Sequence, residues 1–229
     1  MAAPGCSATI ALVTESSVQK LQGLYSSERA KAFIDAVVAI AMTLLILPLM
    51  ESVSDVAGAE HGAAHWYAEH GMQLVSFVIS FAVIASFWVN HHRMFAGVQR
   101  VSSGLLWVCI AWLLSIVWMP VATAMTGLMS SDDPIVVIGY VGAMILTSLL
   151  MLAQRLVLAA RPQLHDIPRD DLRRGMAVDI TMAVLFALAL VVAVTVTEIG
   201  YFALFLLMLT GLVARRVVAP VLGVRRRVG

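Results

Sequence analysis

The sequence predicts an all-α, polytopic membrane protein with six transmembrane helices, and three observations carry that prediction. Hydrophobic residues make up 61% of the 229 residues and charged residues 13%, with a mean hydropathy of +0.92, which is too apolar for a water-soluble globule. The apolar residues collect into six runs, most of them near the roughly 20 residues an α-helix needs to cross a bilayer. All 15 Lys and Arg residues fall on one side of the alternating topology that those runs define. Short dyad-alternating segments, which would build a transmembrane barrel, do not occur.

The first span runs from Ala32 to Met50, with Pro48 fitting its end, and the second from Met72 to His91. Between them the outer loop Ser52 to Gly71 contains AEHGAAHWYAEH, an imperfect repeat with helical tendency of its own. The third span, Leu105 to Met129, carries Pro120 in its interior and is expected to kink there. Pro134 opens the fourth, Pro134 to Ala153, as a first-turn proline should. The inner connection around Arg161 to Arg174, with Pro162, Pro168 and mixed charge, reads as a solvated turn or short surface helix. The fifth span is Met176 to Thr197. The sixth, Ile199 to Val213, reaches across if Arg215 and Arg216 snorkel to the interface. No longer period suggests a solenoid or an internal duplication.

The bases orient the bundle. Lys20, Arg29 and Lys31 precede the first span, and Arg93 and Arg100 follow the second. Arg155, Arg161, Arg169, Arg173 and Arg174 flank the fourth connection, and Arg215, Arg216, Arg225, Arg226 and Arg227 close the chain. The opposite loops hold Glu51, Asp55, Glu60, Glu69, Asp132, Asp133 and Glu198 and no base. By the positive-inside rule both termini are expected in the cytoplasm. The organisation is a cytoplasmic tail over residues 1–28, one membrane domain over 29–219 and a basic cytoplasmic tail over 220–229. The basic face is an orientation signal, so no nucleic-acid partner is expected. Residues 1–25 lack a basic n-region and do not read as a cleaved signal peptide. Cys6 in the tail and Cys109 in the third span are not expected to form a disulfide.

On the first span Phe33, Val37, Ile40, Leu44 and Leu47 fall within a sector of about 80°, and Asp35 lies nearly opposite. A carboxylate one turn inside hydrocarbon costs several kcal/mol unless something receives it, so this helix is expected to pack against protein on its Asp35 side. Asp35, Asn90, His91, His92, Arg93 and Asp179 share one depth near the cytoplasmic ends of their helices. Arg29 lies six residues before Asp35 and about 120° round the helix, poorly placed to pair with it. Asn90 or His91 is the expected partner, with Trp107 close by at the start of the third span. This layer reads either as a hydrogen-bonded clamp or as a proton relay, and interface-depth polar residues favour the clamp. The aliphatic stripe must meet lipid, a sister subunit or an aqueous axis, and around an axis it could gate by dewetting. Thr43, beside it, either reaches an ion path or back-bonds to the preceding turn, and spacing favours the latter.

IGYVG at Ile138 to Gly142 and TVTEIGY at Thr195 to Tyr201 lack the order and the pore loop of a TVGYG filter. His61, His65, Glu69 and His70 have i, i+4 spacings, but exposed loop histidines without further ligands do not define a metal site. No phosphate loop, dinucleotide motif or catalytic triad is present, so neither an enzyme nor a cofactor is expected. The arginines never recur every third residue as a voltage sensor requires.

The pattern Arg29, three residues, Phe33, one residue, Asp35, running on through AVVAIAMTLLIL, resembles the RxxxFSD signature on the first helix of the lysosomal and endosomal potassium channel family, in its bacterial branch. FWVNHHRMF, Phe87 to Phe95, is similar to that family's second-helix ending. This sequence has Ile34 where the signature has serine, which removes one interhelical hydrogen bond. The resemblance implies a potassium-permeable homotetramer in a bacterial plasma membrane, with the first helix of each subunit lining a central pore and K+ as the permeant ion. It implies further that Ile40, Leu44 and Leu47 form the constriction, that Thr43 affects selectivity, and that Arg29, Phe33, Asp35, Asn90, His91 and Trp107 form a structural and gating clamp. The alternatives are a proton conductor or proton-coupled transporter using Asp35, His91, His92 and Asp179, and a membrane scaffold or sensor recruiting a partner through Arg225 to Arg227.

Overall fold

The computed structural model describes residues 24–56, 63–129 and 133–195. A three-residue strand, β1 (Leu24–Ser26), leads into α1 (Ser27–Leu44), followed by α2 (Leu47–Val56) and α3 (Ala63–Ala96). Strand β2 (Arg100–Ser102) precedes α4 (Ser103–Leu128); α5 (Pro134–Ala160), a 3-10 turn (Pro162–Leu164) and α6 (Arg169–Thr195) complete the described chain. Among the described residues five segments are long and apolar enough to cross a membrane, α1 and α2 together counting as one. The chain is therefore a polytopic helical membrane protein. The sixth run, Ile199 to Val213, lies outside the described residues.

The central strut is α4, which contacts α1, α3 and α5, while α6 packs on α5. Its buried residues include Leu105, Cys109, Trp112, Ile116 and Met119, spaced three or four apart along one broad face. Pro120 is also buried, and α4 runs through it as a single helix. The ends are built by local chemistry. Ser102 accepts the Leu105 amide at 3.4 Å and receives Arg161 Nη1 at 2.8 Å. Asp133 accepts the Ile135 amide at 2.9 Å, just before Pro134.

Four details differ from the sequence expectation. Pro48 begins α2 rather than ending the first span: it has no N–H for the Leu44 carbonyl, and the helix breaks one turn earlier, at Leu45 and Ile46. The second span is 34 residues long, because the polar stretch from Ala63 onward joins the helix; Trp66 Nε1 donates to Ser52 Oγ at 3.3 Å and ties it to α2. The fourth span runs on to Ala160, which places Arg155 inside a helix rather than on its flank.

The inner connection, lastly, is the largely exposed turn expected but is also knitted to the α3–α4 loop. Gln99 N donates to Leu164 O and Asp166 N to Gly97 O, both at 2.9 Å, and Leu164 is buried. The adjoining β1 and β2 pair antiparallel, with Tyr25 opposite Val101. Gly97 is required here, since a Cβ would stand 2.5 Å from Ile167 Cγ1.

Candidate functional site

The face of α1 that packs on its own subunit is Ile34, Val38, Ala41 and Leu45, all buried, recurring at i, i+4, i+7 and i+11. Asp35 lies at the edge of that face, half-buried, rather than at its centre. The ridge of Phe33, Ile40, Leu44 and Leu47 is turned out of the subunit: Ile40 is 58% exposed and Leu47 51%. Thr43 is also exposed, and its Oγ1 donates to Ile40 O at 2.8 Å, the back-bond its spacing favours.

Asp35 is held from α3, by residues other than those the sequence nominates. Trp88 Nε1 donates to Asp35 Oδ1 at 2.8 Å, and His92 Nδ1 lies 3.6 Å from Oδ2. Trp88 and His92 are one turn apart and so share the face of α3 that meets α1. Asn90 and His91 lie between them, and neither hydrogen-bonds Asp35: Asn90 pairs with Asp179 and His91 enters an aromatic stack. Trp107 is 70% exposed. It stands two residues beyond the buried Leu105, on the far face of α4, and Trp88 occupies the role expected of it. Arg29 is exposed on the first turn of α1 and takes no part in the contacts on Asp35.

Asn90 belongs to a second, buried cluster joining α3, α5 and α6. Arg155 Nε donates to Asp179 Oδ2 at 2.6 Å, Arg155 Nη2 to Asn90 Oδ1 at 2.9 Å, and Asn90 Nδ2 to Asp179 Oδ1 at 3.1 Å. The three side chains close a ring of hydrogen bonds. Both charges are neutralised and fixed in direction, which a buried pair needs if its Coulombic gain is to offset desolvation. Gly175 makes the room, since a methyl group there would overlap the Arg155 guanidinium.

His91 forms a third unit. Its ring is stacked between Phe95 and Trp112, with centroids 4.3 and 4.2 Å away and interplanar angles of 16° and 17°. It is 2% exposed. The Gln154 amide acts on it from α5, yet neither the His91 Nε2 atom nor the Gln154 amide has a hydrogen-bond partner among the described residues.

Of the outer-loop histidines, His61 lies outside the described residues. His65 Nε2 is 3.6 Å from Glu69 Oε2, while His70 stacks on Trp66 and its Nδ1 lies 3.2 Å from Trp66 O. Among the described residues no group of three His, Cys, Asp or Glu side chains could hold a metal ion.

A membrane bundle whose first span is tied by a carboxylate to the second, with its aliphatic ridge turned outward, is the class of protein defined by these contacts. Residues 29–120 match the family described as endosomal/lysosomal potassium channel TMEM175. A potassium channel of Streptomyces collinus is 38% identical over 99 residues, covering 43% of this chain and 47% of the relative. A potassium channel of a Chryseobacterium species is 29% identical over 101 residues, covering 43% and 48%. The chain spans about half the length of the curated relatives it matches. The solved structure of a lysosomal potassium-selective channel TMEM175 homologue from Chamaesiphon minutus superposes with a TM-score of 0.67 at 21% identity, covering 83% of this chain and 98% of that one. Over residues 29–120 the chain is thus similar to the TMEM175 family, and the curated relatives it matches are bacterial proteins.

Proposed function

We propose that this chain is a passive, potassium-permeable cation channel, a homotetramer in which four first spans surround an aqueous axis. One observation carries the reading: Ile40, Leu44 and Leu47 face away from the subunit on a span whose adjacent face is buried and whose carboxylate is tied to α3. A ridge so placed meets lipid, a sister subunit or an axis, and the likeness over residues 29–120 to proteins named potassium channels favours the axis.

Ile40, Leu44 and Leu47 then form a hydrophobic constriction, with Thr43 beside it influencing selectivity. K+ crosses this apolar narrowing with modest preference over Na+, because it sheds water more cheaply and no TVGYG-type carbonyl filter is involved. Asp35, Asn90 and His91 belong to the structural and gating layer at the inner end, one in each of the three arrangements described, and Arg29, Phe33 and Trp107 stand exposed beside it, facing sister subunits or lipid. The setting is a bacterial plasma membrane crossed six times, with residues 1–28 and 220–229 as cytoplasmic tails on the channel domain 29–219. Sister subunits and lipid are its partners; no enzyme activity, cofactor or nucleic acid enters the reading.

The geometry gives less support to a proton relay. Asp35 and His92 meet between α1 and α3, Asp179 is enclosed with Arg155 and Asn90, and His91 sits in an aromatic stack, so the four groups form no single series. Purified protein in liposomes tests the proposal. Bi-ionic reversal potentials should favour K+ over Na+, and Leu44→Asn, which wets the narrowing, should raise cation flux several-fold. Absence of cation current, or preference for Na+, overturns it.

A further inference from the structure

We propose that the start of α4 binds the phosphate headgroup of an anionic phospholipid, held between Arg161 and Arg100. The observation that carries this is a cation at the wrong end of a helix. Arg161 Nη1 donates to Ser102 Oγ at 2.8 Å, and Ser102 is the N-cap of the 26-residue α4, so a guanidinium stands where the helix is positive. A helix N-terminus favours an anion and disfavours a base. Arg100 adds a second cation to the same place. It precedes Ser102 by two residues on β2, so the two side chains leave the strand on one face, about 7 Å apart at their roots.

Nothing in the subunit offsets the pair. Both arginines are exposed, and among the described residues neither forms an ion pair with a carboxylate. Asp166, the acid of the α5–α6 connection beyond its 3-10 turn, accepts from Gln99 Nε2 at 3.0 Å. Orienting a bundle in its membrane needs only a sum of bases and asks for no fixed arrangement. Here the arrangement is fixed: the loops that carry Arg100 and Arg161 are joined by the Val98–His165 bridge and by the Gln99 amide on Leu164 O. Trp107 supplies the depth. It is exposed one turn into α4, the place an interfacial tryptophan takes at the boundary of headgroups and acyl chains. Ser103, Trp107 and Leu114, at i, i+4 and i+11, share one exposed face of the helix. A phosphodiester at its top accepts from both guanidinium groups and from the first amides of α4, and its acyl chains run down past Trp107 and Leu114. That apolar continuation is why the ligand is a lipid and not free phosphate.

The inference needs only that the chain spans a bilayer and stands apart from ion conduction, so its test is lipid binding by the purified full chain. Native mass spectrometry counts the dioleoyl phosphatidylglycerol, or the zwitterionic dioleoyl phosphatidylcholine, retained by the detergent-solubilised protein. Phosphatidylglycerol should bind in preference. Arg100→Gln should weaken its binding about fivefold, the effect of one base at a membrane surface, and Arg100→Lys should restore most of the loss. Arg173→Gln, which removes an exposed base of α6 away from the site, should leave the binding unchanged.

Equal retention of the two lipids overturns the proposal, as does an unaltered affinity in Arg100→Gln or an equal loss in Arg173→Gln, which would mean that the basic surface acts only as a sum. Inorganic phosphate is the second probe. If it raises the melting temperature of the unaltered chain as far as phosphatidylglycerol does, the acyl chains contribute nothing and the lipid assignment falls; if it does not, the assignment stands. The comparisons on the unaltered chain give their answer even if a variant does not fold, and either result leaves the flux measurements on the channel reading untouched.

Discussion

Asp35, at the edge of a buried face, depends on a single strong donor. Trp88→Phe keeps the ring and removes the N–H, and should cost about 1.5 kcal/mol, the lower end for a bond to a charged group because the site is half-exposed; chemical or thermal unfolding in detergent measures it. Arg155→Met should cost about 3–5 kcal/mol, since it leaves Asp179 buried without its counter-charge. Adding Asp179→Leu should recover much of that loss, because the unpaired charge goes with it. Asp35 as a buried-side carboxylate was legible from depth alone. Its partner was not: Trp88, Asn90, His91 and His92 are near neighbours on one helix about 100° apart per step, and nothing in one sequence says which azimuth meets α1. Arg155 was hidden for another reason. A charge next to an apolar run reads as the end of a span, and only the carboxylate waiting on α6 shows otherwise.

The elements divide between long periodic helices, whose existence the apolar runs announce, and short features with no period to detect. Three-residue strands leave no alternation to read, so β1 and β2 emerge only from the fold. The part of AEHGAAHWYAEH from Ala63 onward was legible as helix-prone but not as continuous with the second span, because its polarity marks the membrane boundary and not the helix end. Gly175 belongs to this scale, as the point where α6 lets Arg155 of α5 approach. Gly175→Ala should displace the guanidinium from Asn90 and Asp179 and lower the melting temperature by several degrees, even though alanine is the better helix former. A melting temperature equal to or above that of the parent would show that Arg155 has another place to go.

Across the whole molecule, three units join α1 to α3, α3 to α5 and α6, and α3 to α4, and backbone bonds join the α3–α4 loop to the α5–α6 loop. The inner end is thereby fastened side chain to side chain and backbone to backbone. Amides of β1 and β2 should exchange with solvent more slowly than those of α2, which hydrogen exchange followed by mass spectrometry can resolve. Native mass spectrometry should find four chains per particle if the proposed axis is correct, and a dimer would contradict it. The interruption at Leu45 and Ile46 has a consequence for how such an assembly could work. The Ile46 amide to Thr43 O and the Met50 amide to Ile46 O bridge it, with the Leu45 amide also directed at Thr43 O, so the first span is two helices joined by a turn. The lower helix, carrying Ile40 and Leu44, is fixed through Ile34, Val38 and Ala41, whereas the upper one, carrying Leu47, is held through Leu49 and the Trp66–Ser52 bond, so the two halves of the proposed constriction answer to different partners.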